Sequence, residues 1–153
     1  MRDDVRFLSW RDVDFPGVVL AGLVAGYVMA IAGIWAERIP GLVGFDIADM
    51  GRRYMISDRP NAWLFGLASH FINSVLFVLF WAMVIKPNLA LPRVLSGFAW
   101  GVTLAFTLAG ALVSPLTGLG FMGSKTGDPR YALTNVLLHA LWGGLVGALY
   151  TRR

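Results

Sequence analysis

His70 and His139 are the only histidines in the chain, and both fall inside long apolar stretches. Imidazole titrates near neutrality and also binds metals and haem iron through a neutral ring nitrogen. Such a pair in apolar surroundings is the first place to look for chemistry. Three or four positions from His70 stand Gly66, Asn73 and Ser74; around His139 stand Asn135, Trp142 and Gly143. Two readings fit these residue types. In the first, His70 and His139 ligate one b-type haem axially from opposite sides, and Gly66 and Gly143 relieve crowding against the macrocycle. In the second, each neutral imidazole hydrogen-bonds to a nearby Asn, Ser or Thr across the helices, a contact worth about 0.6 kcal/mol on average in membranes. A quinone is a further ligand for the same groups. Polar packing is the simpler reading, and haem b is the alternative for which His70 and His139 are the cofactor-binding residues.

Other chemistries lack their residues. Cysteine is absent, which removes disulfides, thiolate metal sites and cysteine nucleophiles. No catalytic residues and no metal ligands are assigned, because no carboxylate pair or Ser/His/Asp set is brought together by the expected topology. Gly118, Gly120 and Gly123 follow no strand and so form a flexible loop, not a nucleotide motif. No Asp, Glu, Lys or Arg stands at the centre of an apolar stretch, which leaves proton or sodium coupling without a site. A passive pore lined by Ser69, Asn73, Thr103, Thr107 and Asn135 is disfavoured because four short helices enclose little lumen. The reading is of a protein that is not an enzyme.

The elements that must position the histidines are written in the distribution of charge. Of 153 residues, 57% are hydrophobic and 14% charged, with a mean hydropathy of +0.65. Soluble domains carry about a quarter charged residues. Charge-free runs separate Asp14 from Glu37, Arg59 from Lys86, Arg93 from Lys125 and Arg130 from Arg152, with 22, 26, 31 and 21 residues respectively. A bilayer core about 30 Å thick takes roughly 20 residues of helix. Each run holds one span and none holds two. The expected fold is an all-α integral membrane protein with transmembrane helices at 17–35, 62–85, 92–113 and 131–150, behind an N-terminal segment, 1–16, in a single membrane domain. Asp3, Asp4, Asp12 and Asp14 mark that segment as something other than a signal n-region.

Pro16 suits a helix start, and Asn61 is expected to cap the second helix. In 41–55, apolar residues from Leu42 to Tyr54 alternate with Asp46, Asp49, Arg52 and Arg53, which predicts a short amphipathic helix in the interface plane. The net charge of +4 sits at helix ends, where it meets lipid headgroups instead of nucleic acid. The termini and the second connection carry seven Lys/Arg against six in the other loops, which places the termini in the cytoplasm by a margin of one.

The helices come as two related pairs. Gly22, Gly26 and Pro40 recur as Gly97, Gly101 and Pro115 at an offset of 75 residues. His70 and Ser74 recur as His139 and Gly143 at an offset of 69. The pattern is a two-helix hairpin duplicated in tandem, with a pseudo-two-fold axis along the membrane normal. It puts both histidines about eight residues into their helices, at one depth of roughly 12 Å. Small residues at i and i+4 let helix backbones approach, so the glycine pairs are expected to pack the two hairpins together or to serve homo- or hetero-oligomer contacts.

With Gly118 and Gly120 in the last loop, this layout resembles a family of small four-helix bacterial membrane proteins of unknown function. The resemblance implies the topology and a bacterial inner (plasma) membrane, and brings no activity. The functional expectation is a non-catalytic accessory or structural subunit, bound to other integral membrane subunits in a larger complex. A respiratory or electron-transfer complex is the expected setting.

Overall fold

The computed structural model describes residues 6–55 and 59–151. Helix α1 covers Phe15–Trp35 and a 3-10 turn, Ala36–Arg38, follows it. Helix α2 is Ile47–Met55, α3 is Ala62–Asn88, α4 is Arg93–Leu116 and α5 is Arg130–Leu149. No strand occurs among the described residues, and α1, α3, α4 and α5 are each long and apolar enough to cross a membrane. Arg152 and Arg153, expected to end the last span, lie outside the described residues, as do residues 1–5 and the side chain of Tyr54.

Local chemistry explains the boundaries. α1 opens at Phe15 because the Asp14 carboxylate accepts the Gly17 N–H at 3.1 Å, with Pro16 in the first turn. Asn61 does not act through its side chain; its backbone carbonyl takes the Leu64 and Phe65 N–H groups instead. Two π-helical stretches extend the long helices past their expected ends. Trp81–Ile85 carries α3 on to Asn88, and Ala105–Val113 carries α4 through Pro115 to Leu116. π turns are rare and occur often at functional sites.

Around the bundle the order is α3, α1, α5, α4. α3 and α4 come close at one end only, where Trp81 Nε1 donates to Ser96 Oγ at 3.1 Å and Trp100 Nε1 donates to the Phe77 carbonyl at 3.2 Å. That end is sealed. Tyr150 packs edge-on against the buried Trp81, and its carbonyl accepts from Arg93 at 2.9 Å. Toward the opposite end α3 and α4 diverge and leave a gap.

The glycine pairs act within each hairpin, not between hairpins. A Cβ on Gly22 would meet Val75 Cα at 2.8 Å, and one on Gly26 would meet Ser74 Oγ at 3.0 Å, both on α3. In the second hairpin, a Cβ on Gly97 would fall on the Gly143 carbonyl oxygen, and one on Gly101 on that of His139. All four glycines are buried, so these faces are filled inside the chain and are not presented to another protein. The physical reason is steric: with only hydrogen at these positions, the α1 backbone reaches α3 and the α4 backbone reaches α5 at distances that a Cβ would block.

The amphipathic segment is helical over Ile47–Met55 only. Residues before it lie across the bundle, where Phe45 N–H donates to the Gly33 carbonyl at 2.9 Å and Val43 N–H to Thr134 Oγ1 at 3.0 Å. α2 is seated on the start of α3, where Gly51 and Gly66 approach so closely that a Cβ on either would strike the other's backbone.

Candidate functional site

His70 and His139 line one cavity in the half of the bundle where α3 and α4 diverge. α3 supplies Ser69, His70 and Asn73, and α5 supplies Tyr131, Asn135 and His139. The π-helical part of α4 forms the facing wall with Leu108, Ala109 and Val113. Phe45 and α2, through Ile47 and Met50, complete the lining. The volume is about 120 Å³, and at about 10–15 Å³ per water in this measure it has room for on the order of ten waters. No Asp, Glu, Lys or Arg lines it.

Most of its polar groups are engaged. Ser74 Oγ donates to the Gly22 carbonyl at 2.7 Å and accepts the Trp142 indole N–H at 2.7 Å. Asn135 Nδ2 donates to the carbonyl of Ala105, the first residue of the π stretch, at 3.2 Å. Ser69 and Ser114 return their hydroxyl protons to the carbonyls of Gly66 and Ala109, each at 2.9 Å.

The histidines differ from each other. His70 Nε2 meets the Gly26 carbonyl, across the first hairpin, at 2.9 Å. His139 Nδ1 meets the carbonyl of Asn135, one turn back on its own helix, at 2.9 Å. A carbonyl only accepts, so the proton is on Nε2 in His70 and on Nδ1 in His139. The neutral rings are therefore opposite tautomers, fixed by the bonds they donate. Backbone carbonyls, not the expected side chains, are their partners. The asymmetry accompanies a difference in packing between the two hairpins. Where the first has Ser74, the second has Gly143, and α5 closes onto α4 until Gly101 lies against the His139 carbonyl. The Gly101 carbonyl, counterpart of the Gly26 carbonyl, makes no bond to the His139 ring.

Each ring thus keeps one lone pair, on His70 Nδ1 and on His139 Nε2, with no described residue bonded to it. No fully buried side-chain nitrogen or oxygen among the described residues lacks a partner. These two nitrogens are therefore accessible, at residues that line the cavity. Asn73 is exposed beside the gap between α3 and α4, and its amide is bonded to no described residue.

The cavity does not fit a haem. A porphyrin has roughly forty heavy atoms, several times what about 120 Å³ accepts. Axial histidines bind iron through Nε2, and in His70 that atom carries the proton given to Gly26. The repeat gave the equal depth of the two histidines; the cavity between them and the tautomer of each ring depend on tertiary contacts that it does not carry.

Sequence reasoning also missed the α4 wall, Phe45 and α2. The signal available for α4 was Gly110, an interior helix glycine against which the Met122 sulfur packs so closely that a Cβ would overlap it. A second hollow of about 300 Å³ lies outside the spans, near Asp46, Asp49, Arg53 and Asp128. Asp49 pairs with Arg52 and Arg53 at 3.4 and 3.2 Å, Asp128 pairs with Arg130 at 2.6 Å, and Asp46 accepts the Ala48 backbone N–H at 2.8 Å. The Arg130 hydrogen bonds hold the Asp128 carboxyl below the usual range.

Comparison with protein-family models, with characterised proteins and with solved structures finds no match.

Proposed function

We propose that this is a multi-pass protein of the bacterial inner membrane, built by tandem duplication of a two-helix hairpin, which serves as a non-catalytic accessory subunit of a larger membrane complex. The observation that carries the non-catalytic reading is the composition of the cavity. It gathers two imidazoles, two amides and several hydroxyls, yet no carboxylate, ammonium or guanidinium lines it. Both imidazoles donate to backbone carbonyls, and neither is bonded to a carboxylate that would orient it or to a hydroxyl that it would activate as a nucleophile. Such a wall recognises a molecule; it does not transform one.

Three features support membrane insertion and duplication. Large apolar side chains such as Leu20, Tyr27, Leu64, Ile72, Phe106 and Leu137 are exposed around the four long helices. A patch of that extent suits lipid or protein contact rather than water. The matched pairs Gly22/Gly97 and Ser74/Gly143 take up the same inter-helix contacts in the two hairpins. α3 is the span least covered by its own chain, 22% buried against 44% for α1 and α5, so its outer flank at Phe65, Ile72 and Leu76 is where another membrane subunit packs.

Purification from the native membrane in mild detergent tests this reading. A stoichiometric partner that crosslinks to a cysteine placed at Ile72 is expected. A protein that runs as a lone monomer, uncrosslinked in its own membrane, overturns the subunit assignment.

A further inference from the structure

We propose that the cavity between α3, α4 and α5 binds the neutral dihydroxy head group of a membrane-soluble amphiphile, which enters through the gap between α3 and α4. The assignment rests on the reading that the four helices span a membrane, and it names the ligand that the accessory protein recognises.

Size comes first. Room for on the order of ten waters holds a single ring or a glycerol unit, not a macrocycle and not a second helix. Charge comes next. With no charged side chain on the wall, an ionic head group would be desolvated with no counter-charge to offset the loss. The ligand is neutral. Hydrogen-bond polarity then decides its chemistry. The two imidazoles offer lone pairs, on His70 Nδ1 and His139 Nε2, because their protons are committed to Gly26 and Asn135. Two acceptors on one cavity call for two donors on one ligand, which is what a dihydroxy head group supplies. At the two imidazoles, a ligand with carbonyl oxygens alone would set acceptor against acceptor, and only Asn73 would be left to donate to it.

Access argues the membrane source. α3 and α4 are joined at the sealed end by Trp81–Ser96 and Trp100–Phe77 and diverge beyond it. Asn73 stands exposed at this opening, its amide unbonded where the neighbouring polar groups of α3, Ser69, His70 and Ser74, each have a partner. An amide left in hydrocarbon costs free energy until it finds a partner. A head group passing sideways from the bilayer meets Asn73 first and leaves its apolar tail in the gap. Two common sources share this chemistry, an isoprenoid hydroquinone and a monoacylglycerol.

The two histidines make the test clean, since a protein labelled with ring-¹⁵N-histidine shows only their four ring nitrogens. The full chain in phosphatidylcholine nanodiscs, kept anaerobic, is titrated with decyl-benzohydroquinone, with its quinone and with mono-oleoylglycerol. Before addition, the protonated nitrogens are expected to be Nε2 of one ring and Nδ1 of the other. The hydroquinone or the glyceride, or both, moves the two unprotonated nitrogens upfield saturably, and which of them does so identifies the source. Asn73→Leu, at an exposed site where folding is not at stake, weakens that binding several-fold, and His139→Phe weakens it about tenfold. A quinone response equal to that of the hydroquinone overturns the donor assignment. No response to either hydroxylated compound, in protein whose insertion is verified by cysteine labelling, overturns the ligand site. Failure of insertion itself overturns the membrane reading beneath it.

Discussion

Ser74 is the residue whose loss tests the inner packing most directly. Its hydroxyl is buried, gives its proton to the Gly22 carbonyl and takes one from the Trp142 indole, joining α1, α3 and α5 at one atom. Ser74→Ala leaves the Trp142 N–H without an acceptor in a buried site. Leaving a buried donor unsatisfied costs roughly 1–3 kcal/mol, against about 0.6 kcal/mol for an average polar contact in a membrane. Thermal unfolding in detergent is expected to fall toward the larger figure, because two bonds go at once. A change no greater than that of a surface substitution such as Ser124→Ala would show that the three helices do not depend on this hydroxyl. Ser74 was visible in the sequence as the counterpart of Gly143, but only as a small residue. That the hydroxyl does the joining depends on which carbonyl lies opposite, and repeat spacing does not carry that information. The histidines show the same limit: repeat spacing put them at one depth in their helices, and it carried nothing of the cavity they line or of their opposite tautomers.

Glycine shows how far an element can be read and where reading stops. G-x-x-x-G spacing marked close helix contacts, and the structure has them, though inside the hairpins. In α5 two adjacent glycines separate packing from composition. A Cβ on Gly143 would overlap the Gly97 carbonyl, whereas nothing lies within 4 Å of a Cβ on Gly144. Gly143→Ala is expected to destabilise by about 1–3 kcal/mol, the usual cost of overpacking. Gly144→Ala is expected to be neutral or to stabilise by up to about 1 kcal/mol, since alanine is the better helix former. Denaturation of the two variants in the same detergent compares them, and equal losses would show that α4 and α5 are not in backbone contact. The π stretch of α4 was not legible at all. At its first residue the Ala105 carbonyl accepts Asn135 from another helix, a tertiary bond that leaves no local period in the sequence.

At the scale of the whole molecule, the arithmetic of charge-free runs located all four long helices, and the boundaries moved by three residues or fewer. Hydrocarbon length is a coarse ruler, which is why it survives errors in caps and kinks. Orientation is finer, resting on seven Lys/Arg against six, and it decides which compartment the cavity half faces. The natural absence of cysteine lets single substitutions report it. Ala90, in the connection between α3 and α4, and Ser124, in the loop before α5, are both exposed. With four spans and cytoplasmic termini, the connection after two spans lies in the cytoplasm and the loop after three lies outside. A membrane-impermeant maleimide added to intact cells stripped of their outer membrane is therefore expected to label Ser124→Cys and to reach Ala90→Cys only after lysis. The converse pattern keeps four spans but reverses them, turning the cavity half, with Phe45 and α2 over it, toward the cytoplasm. Labelling of both sites from the same side contradicts a crossing by α4, and then the gap between α3 and α4 faces no bilayer.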